Sequence, residues 1–140
     1  MQCETVAKVL ILNEKNEILT LRIGVHRLRP EKSHTLDLPG GIVDTGESER
    51  DAIVREVREE AGIVLDNASI VLQYGTTYKS ESKSVTKLLY ATWLNMTPEV
   101  TLSWEHEVYE WMSAGALLND ARFTTYRQGV EFLTQQGLIV

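Results

Sequence analysis

Cysteine is almost absent from this chain of 140 residues: Cys3 is the only one. An internal disulfide and a thiolate metal cluster are thereby excluded, and a reducing, cytoplasmic setting is the expectation. Proline is scarce too, three in all. No apolar run approaches the roughly 20 residues that a membrane-crossing helix needs, so no membrane partner is expected. The N-terminus, Met1-Gln2-Cys3-Glu4-Thr5, has no basic segment ahead of an apolar one, and no secretory signal is expected there. Repeats, low-complexity tracts and linkers are missing, so residues 1–140 read as a single domain, long enough to bury a core. Positive charge is also in deficit: 14 Lys and Arg stand against 20 Asp and Glu, for a net charge of −6. That balance argues against a grip on long nucleic acid, which rests on neutralising phosphates with a basic surface. A small anionic substrate stays open, because a bound divalent cation can reverse the local field of an acidic protein.

What is present reads as interleaved strands and helices. Val6 to Leu12 is a largely apolar strand, Asn13 to Asn16 is turn material, and Ile18 to Ile23 alternates to complete a hairpin. His26 to His34 is a polar loop. Thr35 to Leu38 is a short extended piece, stopped by the turn signal Pro39-Gly40-Gly41. Ser48, with Asp51 three residues on, opens a helix that Gly62 closes. Strands are expected around Ser69 to Thr77, Val85 to Leu94 and Val108 to Met112, and a helix from about Thr124 to Gln136. Such interleaving indicates a layered α/β or α+β fold.

The strongest chemical signal lies in the Ser48 to Gly62 helix. Glu56, Glu59 and Glu60 stand at i, i+3 and i+4 and share one face, while Ile53, Val54, Val57 and Ala61 form a separate apolar stripe. A solvated acidic face is the ordinary explanation of such a run, but it calls for basic residues at i±3 or i±4. Only Glu59 has one, Arg55, in the less favourable order. The acids also sit near the C-terminal, negative end of the helix dipole. Each penalty is small, all have one sign, and a bound cation would reverse them. Oxygen-only ligation favours magnesium, manganese or calcium over zinc. The alternating Asp/Asn ligands of an EF-hand are not found.

Extended upstream, the window reads Gly41-Ile-Val-Asp-Thr-Gly-Glu47, seven residues, then Arg55-Glu56-Val57-Arg58-Glu59-Glu60-Ala61-Gly62-Ile63. At every defined position this resembles the signature box of the Nudix hydrolase superfamily. The preceding hairpin, Leu38-Pro39-Gly40-Gly41 and the later Glu110-Trp111-Met112-Ser113 are similar to that family too. The resemblance implies an α/β/α sandwich with a central mixed sheet, and a pyrophosphohydrolase acting on a nucleoside diphosphate linked to another group, with Mg2+ or Mn2+. It implies Glu56 and Glu60 as principal metal ligands, Glu59 as ligand or water-activating base, and the Gly40 carbonyl oxygen as a further ligand. Arg55 and Glu47 are implied to hold one another and brace the helix against its loop.

Other candidates are weaker. Many family members carry an additional Glu in a later loop, and Glu105 fits that place best, Glu107 second; a solvated loop acid is the ordinary alternative. Arg22, at the end of a strand directed toward the site, is a candidate phosphate contact; Arg27, Arg29 and Lys32 read as a solvated basic loop. Tyr78, with Tyr74 and Trp111, is a candidate for stacking on a base, against the commoner reading of core packing. His26, His34 and His106 lack a Ser or Cys elbow and read as structural or exposed. Leu138-Ile139-Val140 is either a core edge or part of a homodimer interface. The expected substrate is a nucleoside triphosphate or related small nucleotide. A nucleotide-sensing module without catalysis, or a hydrolase of RNA 5′ ends, are the alternatives.

Overall fold

The most apolar strand takes the central place in the sheet. In the computed structural model, which describes residues 1–140, strand β1 spans Gln2–Leu12. Ala7, Val9 and Ile11 are buried toward one face, Leu10 and Leu12 toward the other. Apolar residues on both parities are what a strand covered on both sides needs. β1 pairs antiparallel with β2 (Ile18–Ile23), and β3 (Leu36–Asp37) lies outside β2. β4 (Gly40–Ile42) pairs antiparallel with the middle of β1. β5 (Val71–Lys79) and β6 (Lys83–Trp93) form a hairpin, and β6 runs parallel to β1 along its whole length. β7 (His106–Met112) pairs with β2. The sheet is therefore mixed.

Helix α1 (Glu49–Ala61) covers one face of the sheet. Ser48 Oγ accepts the Asp51 N–H at its start, and Gly62 adopts the left-handed conformation at its end. Ile53, Val57 and Ala61 pack against Ala7, Val9, Ile11, Leu19 and Leu21. Helices α2 (Ala114–Leu118) and α3 (Arg127–Gln135) cover the opposite face, where Leu117, Phe123, Val130, Leu133 and Ile139 meet Leu10, Leu12, Ile18 and Leu89. The result is the expected α/β/α sandwich. Ile139 belongs to this core, while its neighbour Leu138 is half-exposed.

Three local expectations are corrected. Gly40-Gly41 is not a turn but the start of β4; lacking a side chain, Gly40 lets this strand lie against β1. The last helix begins at Arg127 rather than Thr124, because Tyr126 takes a left-handed conformation (φ 65°) ahead of it. The Arg127 guanidinium then ties down the carbonyls of Leu118, Asp120 and Phe123. α2 was not expected at all; one turn capped by Ser113 is too short to show a helical period.

Candidate metal and nucleotide site

The acids of α1 come to the sheet at β4. Gly40 faces Lys8 and Gly41 faces Ala7 across the β1–β4 pair. A Cβ on Gly40, whose φ is +126°, would lie 2.2 Å from the Ala7 carbonyl oxygen. A Cβ on Gly41 would lie 2.9 Å from Glu56 Oε1. Gly40 is thus needed for β4 to lie against β1, while a side chain at Gly41 would displace the Glu56 carboxylate. The Gly40 N–H donates to Glu60 Oε1 at 2.8 Å.

Glu60 is the buried member of the acid cluster. Burial pushes its carboxyl up to about 8, against the opposing pull of the Lys8 charge and the Gly40 N–H. Lys8 is itself buried and donates to Asp37 Oδ2 at 3.0 Å and to the Gly40 carbonyl at 2.9 Å. Burial works against the Lys8 ammonium, but the charges of Asp37 and Glu60 outweigh it and hold its pKa above the ordinary lysine value. His106 closes the other side, with Nε2 3.8 Å from Glu60 Oε2 and its Nδ1 buried without a partner. Burial lowers the His106 pKa, so its imidazole is the neutral form at neutral pH.

Arg55 organises the exposed side of the cluster. Its Nε and Nη2 donate to the two oxygens of Glu47 at 2.9 and 3.0 Å, a two-pronged pairing across the loop before α1. Its Nη1 lies 3.0 Å from Glu56 Oε1 and 3.6 Å from Glu59 Oε2. The Arg55 hydrogen bond is the largest cause holding the Glu47 carboxyl below the ordinary range. Helical spacing alone leaves Glu56 without a basic neighbour; the long Arg55 side chain reaches it from the adjacent position.

Residues able to hold a hard cation are therefore all oxygen donors: Glu56, Glu59, Glu60 and the Gly40 carbonyl. They do not converge into a preformed set, since Glu60 is turned to the Gly40 N–H and Glu56 and Glu59 to Arg55. The donor chemistry nevertheless fits a hard cation. Glu60 is a buried carboxylate with a single hydrogen-bond donor, and the charge that burial penalises is one a cation would satisfy.

Other expected positions fall elsewhere. Glu105 is exposed, and its carbonyl accepts the Gly24 N–H; the side chain that approaches Glu60 is that of the next residue, His106, at the start of β7. Glu107 pairs with Arg22 and His34. Arg22, the candidate phosphate contact, does not lie beside the acids. It shares the α2–α3 side of the sheet with its strand partner Leu36, because β2 alternates and Leu19 and Leu21 take the α1 side. Trp111 packs against the α1 core, as a packing role expects.

Tyr78 does line a groove. It is a cleft of about 420 Å³ on the α3 side of the sheet, floored by Tyr74, Thr76, Tyr78 and Lys87 and walled by Thr124 to Gly129. Lys87 Nζ lies 5.4 Å from the Tyr78 ring centre and 5.9 Å from that of Tyr126, and no carboxylate pairs with it. Lys87 stands opposite Val6 on β1, one place along the same face from Lys8. The groove thus borders the Lys8–Asp37–Gly40 edge. Neither Lys8 nor Asp37 is marked out by the sequence, and His106 reads there only as structural or exposed. A lysine on the inward parity of an apolar strand is the available signal for Lys8; nothing marks Asp37.

Comparison with known proteins agrees with this architecture. The family model described as NUDIX domain matches residues 3–132. The mouse asymmetrical bis(5′-nucleosyl)-tetraphosphatase is 29% identical over 130 residues, covering 86% of this chain and 83% of that protein. The 8-oxo-dGTP diphosphatase of Haemophilus influenzae is 34% identical over 90 residues, 64% of this chain and 63% of that protein. Among solved structures, the MutT protein from Methanosarcina mazei superposes with a TM-score of 0.81 at 28% identity, covering 97% of this chain and 96% of that one. No helix is long and apolar enough to cross a membrane. With the signature box intact and its acids gathered at the Gly40 edge, the chain belongs to the NUDIX domain family and is an enzyme, a Nudix pyrophosphohydrolase.

Proposed function

We propose that this protein hydrolyses the pyrophosphate bond of a nucleoside triphosphate or related small nucleotide, with Mg2+ or Mn2+ held at the Gly40 edge. The observation that carries the reading is the placement of Glu60, buried at the Gly40 N–H, with Glu56 and Glu59 on the same helix face. A divalent cation bound there supplies charge neutralisation of the phosphate oxygens and a lowered pKa for the attacking water. Glu56 and Glu60 would hold it. Glu59, the most exposed of the three, accepts the water's proton on a carboxylate oxygen. Arg55, fixed on Glu47, keeps Glu56 and Glu59 oriented. The groove receives the nucleoside, with Tyr78 available to stack on the base. Arg22 has no part in this reading, and Glu105 has at most an outer one. The intact acids disfavour a purely sensing role.

A second substrate, a dinucleoside polyphosphate, is favoured by one observation. Lys87 is a cation without a carboxylate partner inside the groove, suited to a phosphate beyond the one being attacked. The mouse relative carries a name of that class. Incubation with Mg2+ and a panel of nucleoside triphosphates, dinucleoside polyphosphates and capped RNA, with products separated, distinguishes these. Faster turnover of a triphosphate, releasing monophosphate and pyrophosphate, is the expected result. No turnover of any member would refute the assignment, and preference for capped RNA would move it to RNA ends.

A further inference from the structure

Lys8 has no place in the chemistry described so far. It sits mid-strand, 8% exposed, where lysines are seldom found unless paired. Its Nζ grips the Gly40 carbonyl, while the Gly40 N–H is held by Glu60. Gly40 has no side chain to fix its torsions, and its φ of +126° lies where L-residues rarely go. Its orientation therefore depends on its hydrogen-bond partners. The ammonium that performs this would by itself repel a cation at the same carbonyl. Asp37, 3.0 Å away on β3, cancels that charge.

We propose that Lys8 and Asp37 form a positioning pair for the metal centre, in which Lys8 aims the Gly40 backbone and Asp37 neutralises it so that a divalent cation is admitted beside Glu60. The inference rests on the cation site proposed above. Buried ion pairs contribute little net stability compared with apolar packing, so a pair kept at this position is better explained by what it orients. Removing either partner leaves the other as a net charge next to the site, and the two removals have opposite signs. Lys8→Met leaves Asp37 and strengthens cation binding while loosening Gly40. Asp37→Asn leaves the ammonium and weakens cation binding. A pair with a packing role alone would impair both variants in the same direction.

The test is Mn2+ affinity measured by electron paramagnetic resonance at pH 8 without nucleotide, on the wild type, K8M, D37N and the double variant. Melting curves run alongside, with kcat and KM for a Mg2+–nucleoside triphosphate. One unit charge near the site is expected to shift Mn2+ affinity about tenfold, tighter in K8M and weaker in D37N, with the double variant within about threefold of wild type. In K8M, kcat is expected to fall about tenfold with KM within about twofold, the mark of lost orientation and not lost substrate binding. Shifts of one sign in both single variants, or none in either, would overturn the pair. Should K8M fail to fold, D37N and the double variant decide: weakening restored by the second change supports the pair, and no weakening in D37N overturns it. A wild type that binds no Mn2+ would remove the cation site itself and this inference with it, an outcome distinct from a site that binds but ignores both substitutions.

Discussion

A carboxylate without solvent is the most informative single residue in the molecule. Glu60 has its pKa raised from 4.5 to about 8, first by burial. A folded-state pKa above the unfolded one means that folding favours the protonated acid. The metal-free protein therefore holds this stabilisation at low pH and loses it as pH rises from about 4.5 through about 8. Urea unfolding in EDTA between pH 5.5 and 8.5 is expected to show this decline, and Glu60→Gln to flatten it; equal slopes in both would contradict the assignment. Glu59 makes a different prediction. Glu59→Gln should lower kcat by about 10²- to 10⁴-fold with Mn2+ binding retained, because a general base is lost while the main ligands stay. Steady-state kinetics beside a Mn2+ titration check the two halves. Arg55→Lys cannot keep both prongs on Glu47, and a loss of activity of about 10- to 100-fold is expected from steady-state assays. Helical spacing made the shared face of Glu56, Glu59 and Glu60 legible in sequence, while the separate parts given to Glu59, Arg55 and Glu47 come from the resemblance of the box. The Lys8–Asp37 pair and the approach of His106 to Glu60 were not legible, since they form only after distant strands pair.

Among the elements, α1 and β4 define the site, and they differ in how far sequence foretells them. α1 announces itself at both ends: Ser48 caps it, Gly62 stops it, and the apolar stripe has helical period. Ser48→Ala should destabilise the protein by about 1 kcal/mol in denaturant titrations while leaving KM unchanged. β4 has no such signature. It is a strand made possible by the missing side chain of Gly40, and Pro39-Gly40-Gly41 reads as a turn until the partner strand is known. Gly40→Ala places a methyl group 2.2 Å from the Ala7 carbonyl at a positive φ. Loss of the β1–β4 pairing, with faster amide exchange at Lys8 and Gly40, is the expected result. The third unanticipated feature, α2, escaped because five residues are too few to express a period.

Across the whole molecule, the two faces of one sheet divide the labour. The acidic helix lies on one face, and the groove holding Tyr78 and Lys87 lies on the other. The layered fold was readable from alternating strands and helices, but which face each side chain takes follows from strand register. That is why Arg22, one parity step from Leu21, lies away from the acids. The division makes binding and chemistry separable: variants in the groove should change affinity for the nucleotide, and those on α1 the rate of its cleavage. The central claim is that the α1 acids at Gly40 hold the divalent cation. Mn2+ binding by electron paramagnetic resonance, compared between the wild type and the Glu56→Gln/Glu60→Gln double variant, tests it most directly. Saturable binding in the wild type that is abolished in the folded variant is the expected result; binding of equal strength in both would contradict it.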